Sequence, residues 1–259
     1  PGVKESIDSD VDNLASLLRV SGLLPKHMDM SPLLAEAKSQ LHEEADYEQE
    51  ARYLNAFVRA LGDDERFLLP RVIPSLSSSR ILGMTFVPGQ PIEDVAHADA
   101  SERNRVAALL FELFMIELFE LRLVQTDPNF ANYQYNAETG QVVLLDFGAS
   151  RRFKASLVRG YRDLLAGAIA GDRPSMVKAA ESIGYHLGPD NSAYRQTLLE
   201  LADIALVPLI VNKPYDFGRS PIPRQLMQRI EPLRNNRTFW QVPPIDVAYI
   251  HRKIGGLFM

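Results

Sequence analysis

The chain has 259 residues, of which 46% are apolar and 24% charged, and its net charge is −5. That size and balance suit a globular protein with a large buried core, and no overall basic field exists to attract nucleic acid or an anionic membrane. There is no cysteine, so disulfides, zinc–thiolate sites and thiol nucleophiles are excluded.

The opening Pro1-Gly2-Val3-Lys4 has no apolar signal segment. Ile7, Val11, Leu14 and Leu18 recur at helical spacing and predict a helix over Ile7 to Leu18, with Ser6 as N-cap and Gly22 and Pro25 beyond its end. A second helix is predicted from Ser31 to Leu61, with Ser31 as N-cap and Pro32 at the first position, and Gly62-Asp63-Asp64 closes it. Short apolar runs follow at Phe67-Leu68-Leu69, Val72-Ile73 and Ile81 to Val87, broken by Pro70, Pro74 and a serine cluster, and these read as strands. Pro88-Gly89-Gln90-Pro91 reads as a stiff turn and the hinge between two lobes. An apolar helix is predicted from Ser101 to Leu123. Glu112, Glu117, Glu120 and Arg122 within it argue against a membrane span and for a buried helix. Tyr133-Gln134-Tyr135 and Val142 to Leu145 form a predicted hairpin joined through Asn136 to Gly140. Helices are predicted over Ala155 to Ala170, Arg173 to Ile183, Ser192 to Val211 and Pro223 to Leu233. This order predicts an α+β protein of two lobes, 1–88 and 89–259, with helices dominating the second.

The chemistry gathers around the hairpin. Asp127 and Asn132 are five residues apart, and Asp146-Phe147-Gly148 follows directly on the apolar run Val142 to Leu145. Phosphoryl transfer asks little covalent chemistry of a protein. It needs a triphosphate held, its charge neutralised by Mg²⁺ and an acceptor oriented. Mg²⁺ is a hard cation that takes carboxylate and amide oxygens. Asp146 and Asn132 are therefore the predicted metal ligands, and Asp127 the group that orients the acceptor or takes its proton. D-x-x-x-x-N followed by a strand and D-F-G is the kinase catalytic and metal loop pattern. A second tripeptide, Asp216-Phe217-Gly218, has neither the strand nor the loop before it and reads as a turn.

The second predicted helix carries Glu43, Glu44, Asp46, Glu48 and Glu50. On a helical wheel Asp46 and Glu50 share an arc with Tyr53, Leu54 and Phe57, whereas Glu44 and Glu48 point away. Carboxylates beside large apolar groups are partly buried and require a cationic partner.

Three segments resemble the UbiB/AarF (ADCK) family of atypical kinase-like proteins. Glu44-Ala45-Asp46-Tyr47-Glu48-Gln49-Glu50 is similar to its E-x-D motif and helix glutamate. Gln125-Thr126-Asp127-Pro128-Asn129-Phe130-Ala131-Asn132 is similar to its catalytic loop, in the form of the coenzyme Q branch. Leu144-Leu145-Asp146-Phe147-Gly148 is similar to its metal loop. Pro214 to Gly218 and His251 to Gly256 resemble its helical C-terminal extension.

The resemblance implies a protein-kinase-like fold that binds ATP and Mg²⁺ and supports ubiquinone biosynthesis as an atypical kinase or ATPase. It implies a cytoplasmic setting or, in a eukaryote, the matrix side of the mitochondrial inner membrane, with peripheral membrane contact and quinone-pathway lipids or enzymes as partners. It also implies that Glu50 pairs with a strand lysine, and that Glu44 and Asp46 meet a regulatory K-x-G-Q motif. Met84-Thr85-Phe86-Val87 would lie against adenine, and Phe147 and Gly148 would border the nucleotide. In the family the strand lysine, the phosphate loop and K-x-G-Q precede the position of Pro1, so these 259 residues are expected to catalyse weakly or not at all by themselves. The alternative is a non-catalytic nucleotide-gated scaffold or lipid-binding chaperone of the quinone pathway. An aminoglycoside or choline phosphotransferase relative fits less well, because the glutamate helix and the intact Asp-Phe-Gly speak against it.

Overall fold

A computed structural model describes residues 7–9, 11–12, 34–35, 38, 41–42, 46–187, 192–211, 213–231 and 244–257. Two compact units emerge from the density of contacts: residues 1–113 with 125–151, and residues 114–124 with 152–259. This grouping differs from a division at Pro88/Gly89, which concerns lobes of the family fold.

In the first unit residues 7–9 and 11–12 are helical, and Ile7 and Val11 are buried. The rest of the helix expected from Ile7 to Leu18 lies outside the described residues. The helix expected to run unbroken to Leu61 is interrupted. Helix α1 spans Tyr47–Leu61, and Asp46 is its N-cap, with φ −96° and ψ 81°. The Asp46 side chain accepts from Gln49 N at 3.0 Å and satisfies one of the donors exposed by the first turn. Asp46 is therefore not on the helical arc it was expected to share with Glu50. Leu54, Phe57 and Leu61 form the buried stripe of α1, as their spacing requires.

A four-stranded sheet follows, built from β1 (Phe67–Leu68), β2 (Gln90–Pro91), β4 (Tyr133–Asn136) and β5 (Gln141–Leu144), in the order β1-β5-β4-β2. Strands β4 and β5 form the expected antiparallel hairpin, with Tyr133 opposite Leu144. Strand β1 runs parallel to β5, pairing Phe67 with Val142. The run Ile81 to Val87 is not a continuous strand: it makes isolated bridges, Ser78 with Ile81 and Val72 with Met84. Gln90–Pro91, expected in a turn, is instead the edge strand β2 beside β4, where a proline costs no ladder bond on the open side. Gly89 just before it approaches the sheet so closely that a Cβ would stand 2.8 Å from the Gln134 Cβ. Helix α2 spans Ala100–Ile116. Its Arg105 donates to Glu102 and Tyr135 Oη, each at 2.8 Å, and to Gly140 O at 2.9 Å, pinning the helix to the hairpin.

The remaining elements are strand β3 (Leu123–Gln125), strand β6 (Ser150–Arg152) and helices α3 (Ala155–Ala170), α4 (Arg173–Ser182), α5 (Ser192–Ala205), α6 (Val207–Ile210), α7 (Ile222–Ile230) and α8 (Ile245–Leu257). The helix expected over Ser101 to Leu123 changes pitch before its end, because Glu117–Leu121 is a π-helical turn that stops at Arg122, φ 53°. The helix expected over Ser192 to Val211 breaks at Leu206, before Pro208 at the start of α6. Residues 232–233 of the helix expected to reach Leu233 lie outside the described residues.

The core of the second unit joins Phe114, Leu118, Val124, Phe153, Val158, Tyr161, Ile183, Val247, Tyr249 and Ile250. Helices α3 and α4 meet closely at Gly160, where a Cβ would fall 2.3 Å from Ile183 Cγ2. Burial pushes the phenol of Tyr185 up to about 12 and holds His251 below the ordinary imidazole value.

Candidate functional site

Two loops of the first unit carry the site. One leaves β3 at Gln125 and enters β4 at Tyr133; the other leaves β5 at Leu144 and enters β6 at Ser150. Each begins at the end of a buried strand, so rigid backbone supports its polar residues. Asn129 accepts from Ala131 N at 3.0 Å and folds a 3₁₀ turn over Phe130–Asn132. That turn returns Asn132 toward Asp127: Asn132 Nδ2 donates to Asp127 Oδ2 at 2.9 Å. The bond turns the amide so that its oxygen, the hard donor, lies at the opposite end.

The loops are stitched together. Leu145 N donates to Asn132 O at 3.1 Å. Thr126 donates to Ala149 O through its N at 3.1 Å and its Oγ1 at 2.8 Å. Gln125 Nε2 donates to Asp146 O at 3.1 Å, and Gln125 Oε1 accepts from Asp127 N at 2.7 Å. In the second loop Gly148 N donates to Asp146 Oδ1 at 2.9 Å, which orients that carboxylate. Asn132 is buried, Asp127 half-buried and Asp146 exposed. The three oxygen-bearing groups singled out by spacing thus belong to one hydrogen-bonded pair of loops.

Glu50 reaches the same place from α1. Its Oε1 accepts from Phe147 N at 3.5 Å, and its Oε2 would lie 3.7 Å from a Cβ on Gly148. Burial, and next the neighbouring Asp146 carboxylate, raise its pKa above the ordinary glutamate value, while the Phe147 N–H opposes them. The Phe147 ring is buried against Phe57, with centroids 5.0 Å apart. Phe147 therefore anchors the loop to α1 and holds Glu50 next to Asp146.

Within Met84 to Val87, Met84 forms an isolated bridge with Val72. Thr85 N donates to Arg71 O and Thr85 Oγ1 accepts from Arg71 N, both at 2.9 Å, while Phe86 is 90% exposed. Asp46 caps α1, Glu48 is exposed as its helical position requires, and Glu44 lies outside the described residues. Among the described residues no three His, Cys, Asp or Glu side chains gather as a metal cage. The oxygen donors here include an amide, and such a set leaves room for the ligands a Mg²⁺·nucleotide brings itself. The part of Gln125 went unrecognised in the sequence; its signal was a polar side chain closing the apolar strand Leu123-Val124.

Residues 1–180 match the ABC1 atypical kinase-like domain. The whole chain is 35% identical over 259 residues to the mitochondrial atypical kinase COQ8B of Rattus norvegicus, covering 49% of that protein. It is 34% identical over 261 residues to the mitochondrial atypical kinase COQ8 of Saccharomyces cerevisiae, covering 52% of it. The chain thus spans about half the length of these relatives. Among solved structures, the Rv3197–erythromycin complex from Mycobacterium tuberculosis superposes with a TM-score of 0.68 at 21% identity, over 100% of this chain and 64% of that one. That likeness concerns the fold.

Proposed function

Because the chain belongs to the ABC1 atypical kinase-like family, we propose that it forms the Mg²⁺·ATP-handling body of an atypical kinase or ATPase that supports coenzyme Q biosynthesis. The observation that supports this reading is the pair of hydrogen-bonded loops that carry Asp127, Asn132 and Asp146. The donor chemistry fits the ion: carboxylate and amide oxygens, with Asp146 exposed to an incoming cation.

Asp146 and Asn132 would hold Mg²⁺. When bound, the ion neutralises charge on the phosphates that the transfer develops further. Asp127, fixed by Asn132 and by its own backbone bond to Gln125, would orient the acceptor hydroxyl or water and take its proton. Glu50, whose charged form is disfavoured by burial and by the neighbouring Asp146 carboxylate, is suited to a cationic partner such as a lysine reaching the phosphates. Phe147 and Gly148 would border the nucleotide, and Met84 to Val87 its base. Asp46, beyond its cap, and Glu44 would take part in regulation.

The relatives carry "mitochondrial" in their names, which supports a mitochondrial setting; a place peripheral to the inner membrane, in reach of quinone-pathway lipids or enzymes, belongs to the same proposal. No helix among the described residues is long and apolar enough to cross a membrane. A non-catalytic scaffold would need the same nucleotide site, and turnover by the full-length protein separates the two.

The test is calorimetric ATP binding with and without Mg²⁺, on the wild type and on Asp146→Ala. Binding that requires Mg²⁺ and vanishes in the variant is expected. Affinity indifferent to both changes would overturn the reading.

A further inference from the structure

We propose that Gln125 is a positioning residue whose single amide group sets the catalytic-loop aspartate and the metal-loop aspartate against each other. The inference rests on the functional reading above and adds a residue to it. Gln125 is 4% exposed, at the end of β3. Its Oε1 accepts from the backbone N of Asp127 at 2.7 Å, and its Nε2 donates to the backbone O of Asp146 at 3.1 Å, 21 residues away.

The chemistry of the two partners dictates which way the amide points. A backbone N–H only donates and a backbone carbonyl only accepts, so Oε1 must face Asp127 and Nε2 must face Asp146. A planar group with one acceptor and one donor at fixed separation then acts as a spacer between the main chains that bear both carboxylates. Burial keeps water from taking over either bond. Gln125 holds the backbone of both residues by these two bonds, so it acts through them.

The other stitches lie elsewhere: Thr126 on Ala149 and Leu145 on Asn132. They hold the loops together when Gln125 is changed, so its variants are expected to fold with the aspartates misplaced. Gln125→Met fills the space and provides neither bond. Gln125→Glu keeps the acceptor for Asp127 N, but when ionised it has no proton for Asp146 O.

The experiment compares wild type, Gln125→Met and Gln125→Glu in the full-length protein. Hydrogen exchange of the Asp127 amide is followed without ligand, and Mg²⁺-dependent ATP affinity and turnover are measured on each protein. Gln125→Met is expected to lose Asp127 protection and about 10- to 100-fold in Mg²⁺·ATP affinity or turnover, the scale of a misplacement near 1 Å. Gln125→Glu is expected to keep Asp127 protection and still to share the loss of affinity or turnover, because it holds one loop and not the other.

A folded Gln125→Met matching wild type, or a Gln125→Glu that binds and turns over Mg²⁺·ATP as wild type does, overturns the proposal while leaving the nucleotide site standing. Wild type that binds no ATP with Mg²⁺ overturns the functional reading, and the part given to Gln125 falls with it.

Discussion

The tripeptide Asp-Phe-Gly occurs twice in this chain, once in each compact unit, and its two copies lead different lives. At 146–148 the phenylalanine is 2% exposed and packs on Phe57, the glycine N–H orients the aspartate, and the aspartate backbone is held by Gln125. At 216–218 the aspartate caps a 3₁₀ turn by accepting from Arg219 N at 3.2 Å, and Phe217 is 51% exposed beside Tyr215. In both copies the aspartate does what a short acceptor does locally, binding a backbone N–H just ahead of it. What separates them is supplied from outside the tripeptide: a buried strand before the first, and α1 and Gln125 against it.

The largest difference should appear in stability. Phe147→Ala is expected to cost about 3–5 kcal/mol in denaturant unfolding, as a buried phenylalanine does, whereas Phe217→Ala should stay near 1 kcal/mol or below. Equal losses would erase the distinction. Binding should separate the copies next. Asp146→Asn is expected to weaken Mg²⁺-dependent ATP binding by more than about 10-fold, at least the effect of losing an outer-shell partner, while Asp216→Asn leaves it unchanged.

Packing around the first copy predicts a third effect. Gly89→Ala should cost about 1–3 kcal/mol, because the new Cβ meets the Gln134 Cβ at 2.8 Å and Val143 Cγ2 at 3.2 Å, and chemical denaturation reads it directly. Asp46→Ala should lose about 1 kcal/mol with the cap of α1, and Asp46→Asn should retain it, since either side chain caps. Activity lost in Asp46→Asn without a stability loss would assign Asp46 a second, regulatory part.

The smallest effect concerns Glu50, and its sign follows from linkage. A carboxyl whose folded pKa is raised binds its proton more tightly folded than unfolded, so its charge opposes folding once pH rises through the ordinary glutamate value. Glu50→Gln should therefore slightly raise the melting temperature of this 259-residue chain near neutral pH, and the gain should disappear below about pH 4. A cation bound beside Glu50 and Asp146 would reverse that sign.

Much of the scaffold was readable before any coordinates. The hairpin of β4 and β5 follows from alternating apolar residues around a polar turn, and α3 matches its predicted span from Ala155 to Ala170. Helix α8 is absent from the helices read by periodicity, and only the resemblance of His251 to Gly256 to a helical extension pointed to it: Val247, Ile250 and Ile254 carry helical spacing, but Gly255-Gly256 masks it with residues that disfavour helices. The break at Asp46 was missed for the opposite reason, because capping residues and helix-interior residues satisfy the same wheel until the backbone turns. That Asp127, Asn132 and Asp146 belong to neighbouring loops was legible because a single hairpin, β4 and β5, separates them. Gln125 and Phe57 were not, since their partners arrive from other parts of the fold.

From the sequence alone came what neighbours along the chain decide: where most helices and the hairpin form, which faces are apolar, and which oxygen-bearing residues follow the spacing of the kinase loop pattern. Only the tertiary structure decided that Glu50 lies against Phe147, 97 residues away, and that one buried amide spans Asp127 and Asp146. Periodicity and turn chemistry act over a few residues. Contacts between distant segments depend on how the strands pair and how the core closes around Phe147, and no local pattern encodes that.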